Sequence, residues 1–430
     1  MTRQFWVETL GCPKNQVDSE KLTGSLLADG MVRAARPEDA DVVVVNTCAF
    51  IAEARQESVD AILVLDDARK PGAELVVTGC MAERYGDELA AALPEVDAVA
   101  PFGVPVTLGR TRSADRTATG PAVPSFDLLE LPRPPTSAPW AYVKVAEGCD
   151  RNCGFCAIPS FRGKQRSRPL PAILDEVAAL GVAEVVLVAQ DLAAYGRDQG
   201  RGQRAIIPLV EAVAARVDRV RLLYLYPSDL SDALVEVICA TGVPYFDLSL
   251  QHVSPPLLRR MRRWGSGDRF RERIDTIRHR RPDAALRSNF IVGYPGETEA
   301  DHDALLSFVA GVGLDWCGFF AYSEEAGTHG ATIEPKVPAP LIAERLHELR
   351  ALQDRITAER RDAMIGRTLT VLVDEPGVAR SYAEAPEIDG IIQVDADLAV
   401  GRFHEVTVTD ALGPDLVATR TAAPTAAGDR

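Results

Sequence analysis

EGCDRNCGFCAIP, residues 147–159, sets Cys149, Cys153 and Cys156 in a C-x3-C-x2-C loop. The loop follows Ala141–Val145, the first of six candidate strands; the others are Glu184–Ala189, Val220–Tyr226, Tyr245–Leu250, Leu286–Val292 and Trp316–Tyr322. Helical patterns such as Leu209–Arg216 and Leu230–Thr241 lie between them. Six βα units over residues 140–366 predict an open, partial barrel rather than the eight units of a closed one. In βα barrels the loops after the strands carry the chemistry. Three thiolates this close on one turn can hold three irons of a 4Fe–4S cluster. The fourth iron then lacks a protein ligand and can bind a substrate, by the logic that leaves a catalytic zinc one open position. The plain alternative is a structural zinc knuckle, for which no histidine or fourth cysteine lies nearby.

Residues 1–110 alternate short β-rich runs (Phe5–Leu10, Asp41–Val45, Glu74–Thr78) with helical patterns. The last two runs are continuously apolar, as in strands buried on both faces, so this segment reads as a parallel α/β domain. Cys12, Cys48 and Cys80 each close one of its strands, in VETLGC, VVVVNTC and LVVTGC. Separations of 36 and 32 residues each fit one βα unit. Ligands of doubly wound sheets gather at the carboxyl ends of strands, so the three are expected to converge on a second cluster site. The alternative is three unrelated core cysteines. Cys239, in an apolar helix, and Cys317, in a strand, read as packing.

Residues 111–139, ending in LPRPPTSAP, have the composition of a linker. From residue 367 to 423, short strands separated by turns (LTVLVDE, GIIQV, HEVTVTD) predict a small antiparallel β-barrel, followed by a disordered tail at 424–430. The fold class is therefore α/β, with a C-terminal all-β unit. Composition is globular, with 47% apolar and 25% charged residues, and no stretch is long and apolar enough to span a bilayer. A cytoplasmic protein is expected, where eight cysteines point to metal or redox chemistry rather than disulfides. A net charge of −15 argues against the whole chain being an electrostatic nucleic-acid binder. From Thr368 to the end, eleven acidic residues stand against four basic ones, a net −7, so this barrel is expected to repel tRNA and attract a basic protein.

Around the loop, Arg162, Lys164, Arg166 and Arg168 (FRGKQRSRP) are expected at the site's mouth, to receive a reducing partner or an acidic substrate group. The later basic stretches LLRRMRRWGS and RFRERIDTIRHRR read equally as solvated helix faces. In NFIVGYPGET the turn Gly293–Pro295–Gly296 ends a strand and lets backbone approach a ligand. With Gln190, Asp191 and Gln251, each following a barrel strand, it is expected to line the cofactor pocket. No further catalytic side chain is singled out beyond the six cysteines.

The C-x3-C-x2-C loop on repeated βα units resembles the radical S-adenosylmethionine (SAM) superfamily. There the open iron chelates SAM, and electron transfer from the cluster releases a 5′-deoxyadenosyl radical able to break an unactivated C–H bond. With an N-terminal three-cysteine domain and a C-terminal barrel of the TRAM type, the whole chain resembles the methylthiotransferase family. The stretches ETLGCPKNQVDSE, YFDLSLQHVSPPLLRRMRRWG and EAPEIDG place it nearest the branch that modifies small-subunit ribosomal protein S12. Glu384 departs from the Asp expected before that Ala-Pro. The resemblance implies two 4Fe–4S clusters (Cys149, Cys153, Cys156 and Cys12, Cys48, Cys80), and methylthiolation of an aspartate β-carbon. It also implies two SAM molecules and an electron donor such as flavodoxin or ferredoxin. The rivals are the tRNA adenosine branch (the MiaB group) and a non-catalytic iron–sulfur scaffold.

Overall fold

The computed structural model describes residues 2–104, 106, 127–200 and 205–421. The N-terminal strands are β1 (Gln4–Thr9), β2 (Val32–Arg33), β3 (Val42–Thr47), β4 (Glu74–Gly79) and β5 (Ala98–Ala100). They form one parallel sheet in the order β2-β1-β3-β4-β5. Central β3 is buried at every residue, because both faces are covered. Helix α1 (Pro13–Ala28) sets Leu22 and Leu26 against Val42 and Val44 on one face. Helices α2 (Ala52–Ala68) and α3 (Cys80–Ala92) set Ile62, Leu65 and Leu89 against Val43, Val45 and Val77 on the other.

The central unit opens with β6 (Trp140–Lys144) and a small hairpin of β7 (Ala146–Glu147) and β8 (Arg166–Ser167). It continues with β9 (Glu184–Val188), β10 (Arg219–Leu222), β11 (Tyr245–Gln251), β12 (Ala285–Val292) and β13 (Trp316–Ala321). The six major strands run parallel in two groups of three, β6-β9-β10 and β11-β12-β13, joined by a bridge from Leu225 to Leu248. The expected strand Val220–Tyr226 stops early, because Tyr224 takes φ 64° and donates its N–H to Asp247 Oδ2 at 2.9 Å. Alternate residues split the packing. Ala141, Val143 and Leu187 face the outer helices, whereas Trp140, Tyr142, Val186 and Tyr245 face a core shared with Val17 of α1 and Ala383 and Ala385. Cys239 and Cys317 pack at the edge of the outer core.

Strands β14 (Thr368–Glu375), β15 (Val378–Arg380), β16 (Ile392–Gln393), β17 (Phe403–Leu412) and β18 (Asp415–Arg420) close a barrel in the order β14-β15-β16-β18-β17. It is not antiparallel throughout. The connection 394–402 carries the chain away from β16, so β18, reversing on β17, returns beside β16 in the same direction. Of the stretch expected as linker, residues 127–139 pack on the body. Lys21 Nζ donates to Leu129 O at 2.6 Å, and Arg133 pairs with Glu20 and with Glu176. The remainder, 111–126, and the expected tail, 424–430, lie outside the described residues.

A buried ion network fastens the small barrel to the large one. Glu184 bonds Arg221 Nε at 2.8 Å and Arg380 Nη1 at 3.1 Å, and Arg380 Nε also reaches Asp374 at 2.5 Å. Burial would raise the Glu184 carboxyl, but Arg380, Arg221 and Arg219 hold it down to about 2 from an ordinary 4.5. A depressed carboxyl contributes stability that is present above its ordinary value and is lost as pH falls through the folded one. We expect this contribution to disappear as pH falls from about 4.5 to about 2. Glu184→Ala, which strands buried guanidiniums, should cost about 3–5 kcal/mol at neutral pH. Urea unfolding checks this, and a change under about 1 kcal/mol would mean the guanidiniums find other partners.

Candidate functional site

The three N-terminal cysteines come together at the carboxyl edge of the sheet. Cys12 caps α1, Cys48 follows β3 and Cys80 opens α3. Asn15 ties two of these strand ends, donating Nδ2 to Leu10 O at 2.9 Å and to Thr47 O at 3.0 Å. Gly11, at φ 94°, leaves room for Cys48, since a Cβ there would lie 2.9 Å from Cys48 Sγ. Burial pushes the Cys48 thiol up to about 12, and the neighbouring Cys12 and Cys80 push it the same way. Burial also raises Cys80, against the pull of Arg162. At Cys12 burial is outweighed by Lys14, Arg162 and backbone N–H groups, and its thiol lies below the ordinary value.

The second set sits on the loop between β7 and helix α4 (Ile158–Arg162). Backbone fixes this loop. Cys149 N–H donates to Gly163 O at 3.0 Å, Gly154 N–H donates to Met261 O at 2.7 Å, and Gly330 N–H donates to Gly154 O at 2.6 Å. Gly148, at φ 77°, passes so close to Lys164 O that a Cβ would sit 2.2 Å from it. Donors already face the sulfurs, with Arg151 N–H 3.4 Å from Cys149 Sγ and Arg263 Nη1 3.4 Å from Cys153 Sγ. Burial pushes Cys149 up to about 11 and Cys156 up to about 12. All eight cysteines are free thiols. Among the described residues, no three His, Cys, Asp or Glu side chains converge on the position of a single metal ion.

Of the residues expected to line the pocket, Gln190 and Asp191 lie beside the loop. Gln190 Nε2 donates to Glu147 Oε1 at 2.9 Å, and Arg151 Nε donates to Asp191 Oδ2 at 2.6 Å. Gln190 Oε1 and Asp191 Oδ1 are buried acceptors with no partner among the described residues. Such orphans fit a bound ligand that brings donors, as the amino group of SAM would. Gln251 ends β11 at φ 72°. In the Gly293–Gly296 turn both glycines take positive φ, 83° and 80°, and a Cβ on them would also come within 2.4 Å of Ile342 and 2.5 Å of Arg260.

The basic run after the loop also differs from expectation. Arg166 pairs with Asp127 at 2.5 Å and Arg168 with Glu176 at 2.7 Å, so their charges are already matched. Lys164 alone of the four is exposed. Arg162 is buried and turns away from the mouth towards the N-terminal cysteines. It bonds Glu147 at 2.8 Å, Asn15 Oδ1 at 2.6 Å and Cys80 Sγ at 3.0 Å. Asp18, Lys144 and Glu147 complete this network, and all of them escaped the sequence reading. The available signals were the spacing of Asn15 and Asp18 on one helix face and a lysine inside an apolar strand.

An open parallel barrel with a C-x3-C-x2-C loop after its first strand, carrying a three-cysteine α/β domain and a small β-barrel, defines a radical SAM enzyme with a TRAM domain. Family profiles agree: the radical SAM superfamily matches residues 143–309, the TRAM domain 365–420, and an uncharacterized family, UPF0004, residues 4–101. The chain is 42% identical to the ribosomal protein uS12 methylthiotransferase RimO of Sorangium cellulosum, over 97% of this chain and 90% of the relative. It is 39% identical to that of Kineococcus radiotolerans (97% of each) and 42% to that of Streptomyces avermitilis (95% of each). The chain belongs to the RimO family of methylthiotransferases. Membership implies a 4Fe–4S cluster and SAM: the thiols of the loop suit the cluster, and the orphaned acceptors beside it fit the donors of SAM. Among the described residues no helix is long and apolar enough to cross a membrane.

Proposed function

We propose that the protein attaches a methylthio group to the β-carbon of an aspartate in small-subunit ribosomal protein uS12, consuming two SAM molecules, one as methyl donor and one as radical source. The observation that carries this reading is the pair of three-cysteine sets at adjoining strand ends. Cys149, Cys153 and Cys156 would hold the radical-generating cluster. Cys12, Cys48 and Cys80 would hold an auxiliary cluster that carries or donates sulfur. When bound, the first cluster supplies the electron that cleaves SAM to a 5′-deoxyadenosyl radical. Gln190 and Asp191 would orient SAM through their free acceptors, and the aromatic inner core would exclude water. A flavodoxin or ferredoxin would be the reductant, in the cytoplasm. Mass spectrometry of uS12 from a strain lacking this protein tests the reading. The aspartate should be unmodified there and methylthiolated after complementation, and a modification unaffected by the deletion would refute it.

The small barrel supports a protein substrate over tRNA. Its carboxylates at Asp374, Glu384 and Asp389 are matched internally by Arg380, Arg361 and Arg287. Glu375, Glu387, Asp397, Glu405 and Asp410 remain exposed, against Arg367, Arg402 and Arg420. Such a surface repels phosphate and steers in a basic ribosomal protein. Because Arg380 pairs with Glu184 of the large barrel, the full chain is the right reagent. Glu375→Lys, Glu405→Lys and Asp410→Lys together should weaken uS12 binding and flatten its salt dependence. Unchanged uS12 binding would take the docking role from the barrel, and wild-type protein binding tRNA more tightly than uS12 would overturn the preference for a protein substrate.

A further inference from the structure

We infer that Arg162 is a positioning residue of the N-terminal cysteine site, lent to it by the loop of the other site, and that it raises the reduction potential of a cluster held there. The inference rests on the reading of Cys12, Cys48 and Cys80 as cluster ligands.

Arg162 lies six residues after Cys156 in sequence, yet its guanidinium reaches Cys80 with two donors, Nε at 3.3 Å and Nη2 at 3.0 Å. The opposite nitrogen, Nη1, bonds both oxygens of Glu147, at 2.8 and 3.0 Å, and Glu147 in turn receives Gln190. One planar fork therefore spans from an auxiliary cysteine to the strand that carries the radical loop, a geometry a lysine cannot reproduce. The side chain is 3% exposed, so solvent screens it little. The surrounding charges are Arg162, Lys144 and Lys14 against Asp18 and Glu147, a net +1 before any sulfur is counted. Cys80 is the cysteine these bonds reach directly, which makes the site asymmetric. Hydrogen bonds and positive charge at cluster sulfurs favour the more negative, reduced state and so raise the potential.

The test uses full-length protein carrying Cys149→Ala, Cys153→Ala and Cys156→Ala, anaerobically reconstituted so that a single cluster is titrated by EPR-monitored potentiometry. Arg162→Lys in that background should shift the midpoint to more negative potential. Arg162→Met paired with Asp18→Asn, which leaves the net charge of the buried set unchanged, should shift it further. Loss of iron from these variants alone, with native circular dichroism, would equally support the positioning role. An unchanged midpoint in both, with the cluster retained, overturns it. Should the background protein bind no iron while Arg162 is intact, the failure lies with the auxiliary-cluster reading instead.

Discussion

Protein in which Cys149, Cys153 and Cys156 are all alanine is expected to form no 5′-deoxyadenosine and to keep about half the iron of the wild type, on a two-cluster count. The loop's shape does not depend on its sulfurs. Gly154 is clamped between Met261 and Gly330, Cys149 N–H is held by Gly163, and Arg151 is held by Asp191 and lies 3.8 Å from the centre of the Tyr226 ring. The alanines therefore remove three thiolates and leave the scaffold, including Arg162 on the helix that follows. The N-terminal set keeps its own supports in Asn15, Ser58 and Arg162. Iron and sulfide analysis after anaerobic reconstitution, with SAM turnover followed by mass spectrometry, decides the matter. Complete loss of iron would mean that only one cluster exists or that the two sites cannot fill separately.

The elements that position the site were legible where a pattern has one physical reading. Four successive valines before Asn46 suit a strand buried on both faces, and the strand-then-cysteine repeat directs Cys12, Cys48 and Cys80 to one sheet edge. Short edge strands such as Val32–Arg33 and Ala98–Ala100 carry no periodicity and were missed. The arginines after the loop were misread for a deeper reason. A sequence displays charge but not the counter-charge that folding brings to it, and Asp18, Asp127 and Glu176 lie far from Arg162, Arg166 and Arg168 along the chain. At the glycine turn 293–296 a glycine shows that something comes close without showing what, and the neighbours Ile342 and Arg260 had no signal in the sequence. The acidic barrel was read correctly in sign, but Glu384 and Asp389 proved to be structural.

Replacing Cys12, Cys48 and Cys80 by alanine should separate the two halves of the chemistry: radical formation continues while methylthiolated uS12 becomes undetectable. The expectation follows from what each thiol does and does not support. Cys48 meets Ser58 through its backbone N–H, which alanine keeps, and Cys12 caps α1 through backbone alone. Cys80 gives up its contacts with Arg162, but that guanidinium retains Glu147, Asn15 and Asp18, so the strand leading into the radical loop stays anchored. Losing three sulfurs from a buried edge should lower stability modestly, about 1 kcal/mol for each small cavity. If these were only core cysteines, that modest loss would be the whole phenotype, and product would form at a rate set by the folded fraction. If they hold the sulfur-bearing cluster, 5′-deoxyadenosine accumulates without product even when the protein is fully folded. Measuring 5′-deoxyadenosine and modified uS12 in one reaction, beside a thermal melt, separates the two, and any methylthiolated product from a well-folded triple variant would remove the N-terminal site from the mechanism.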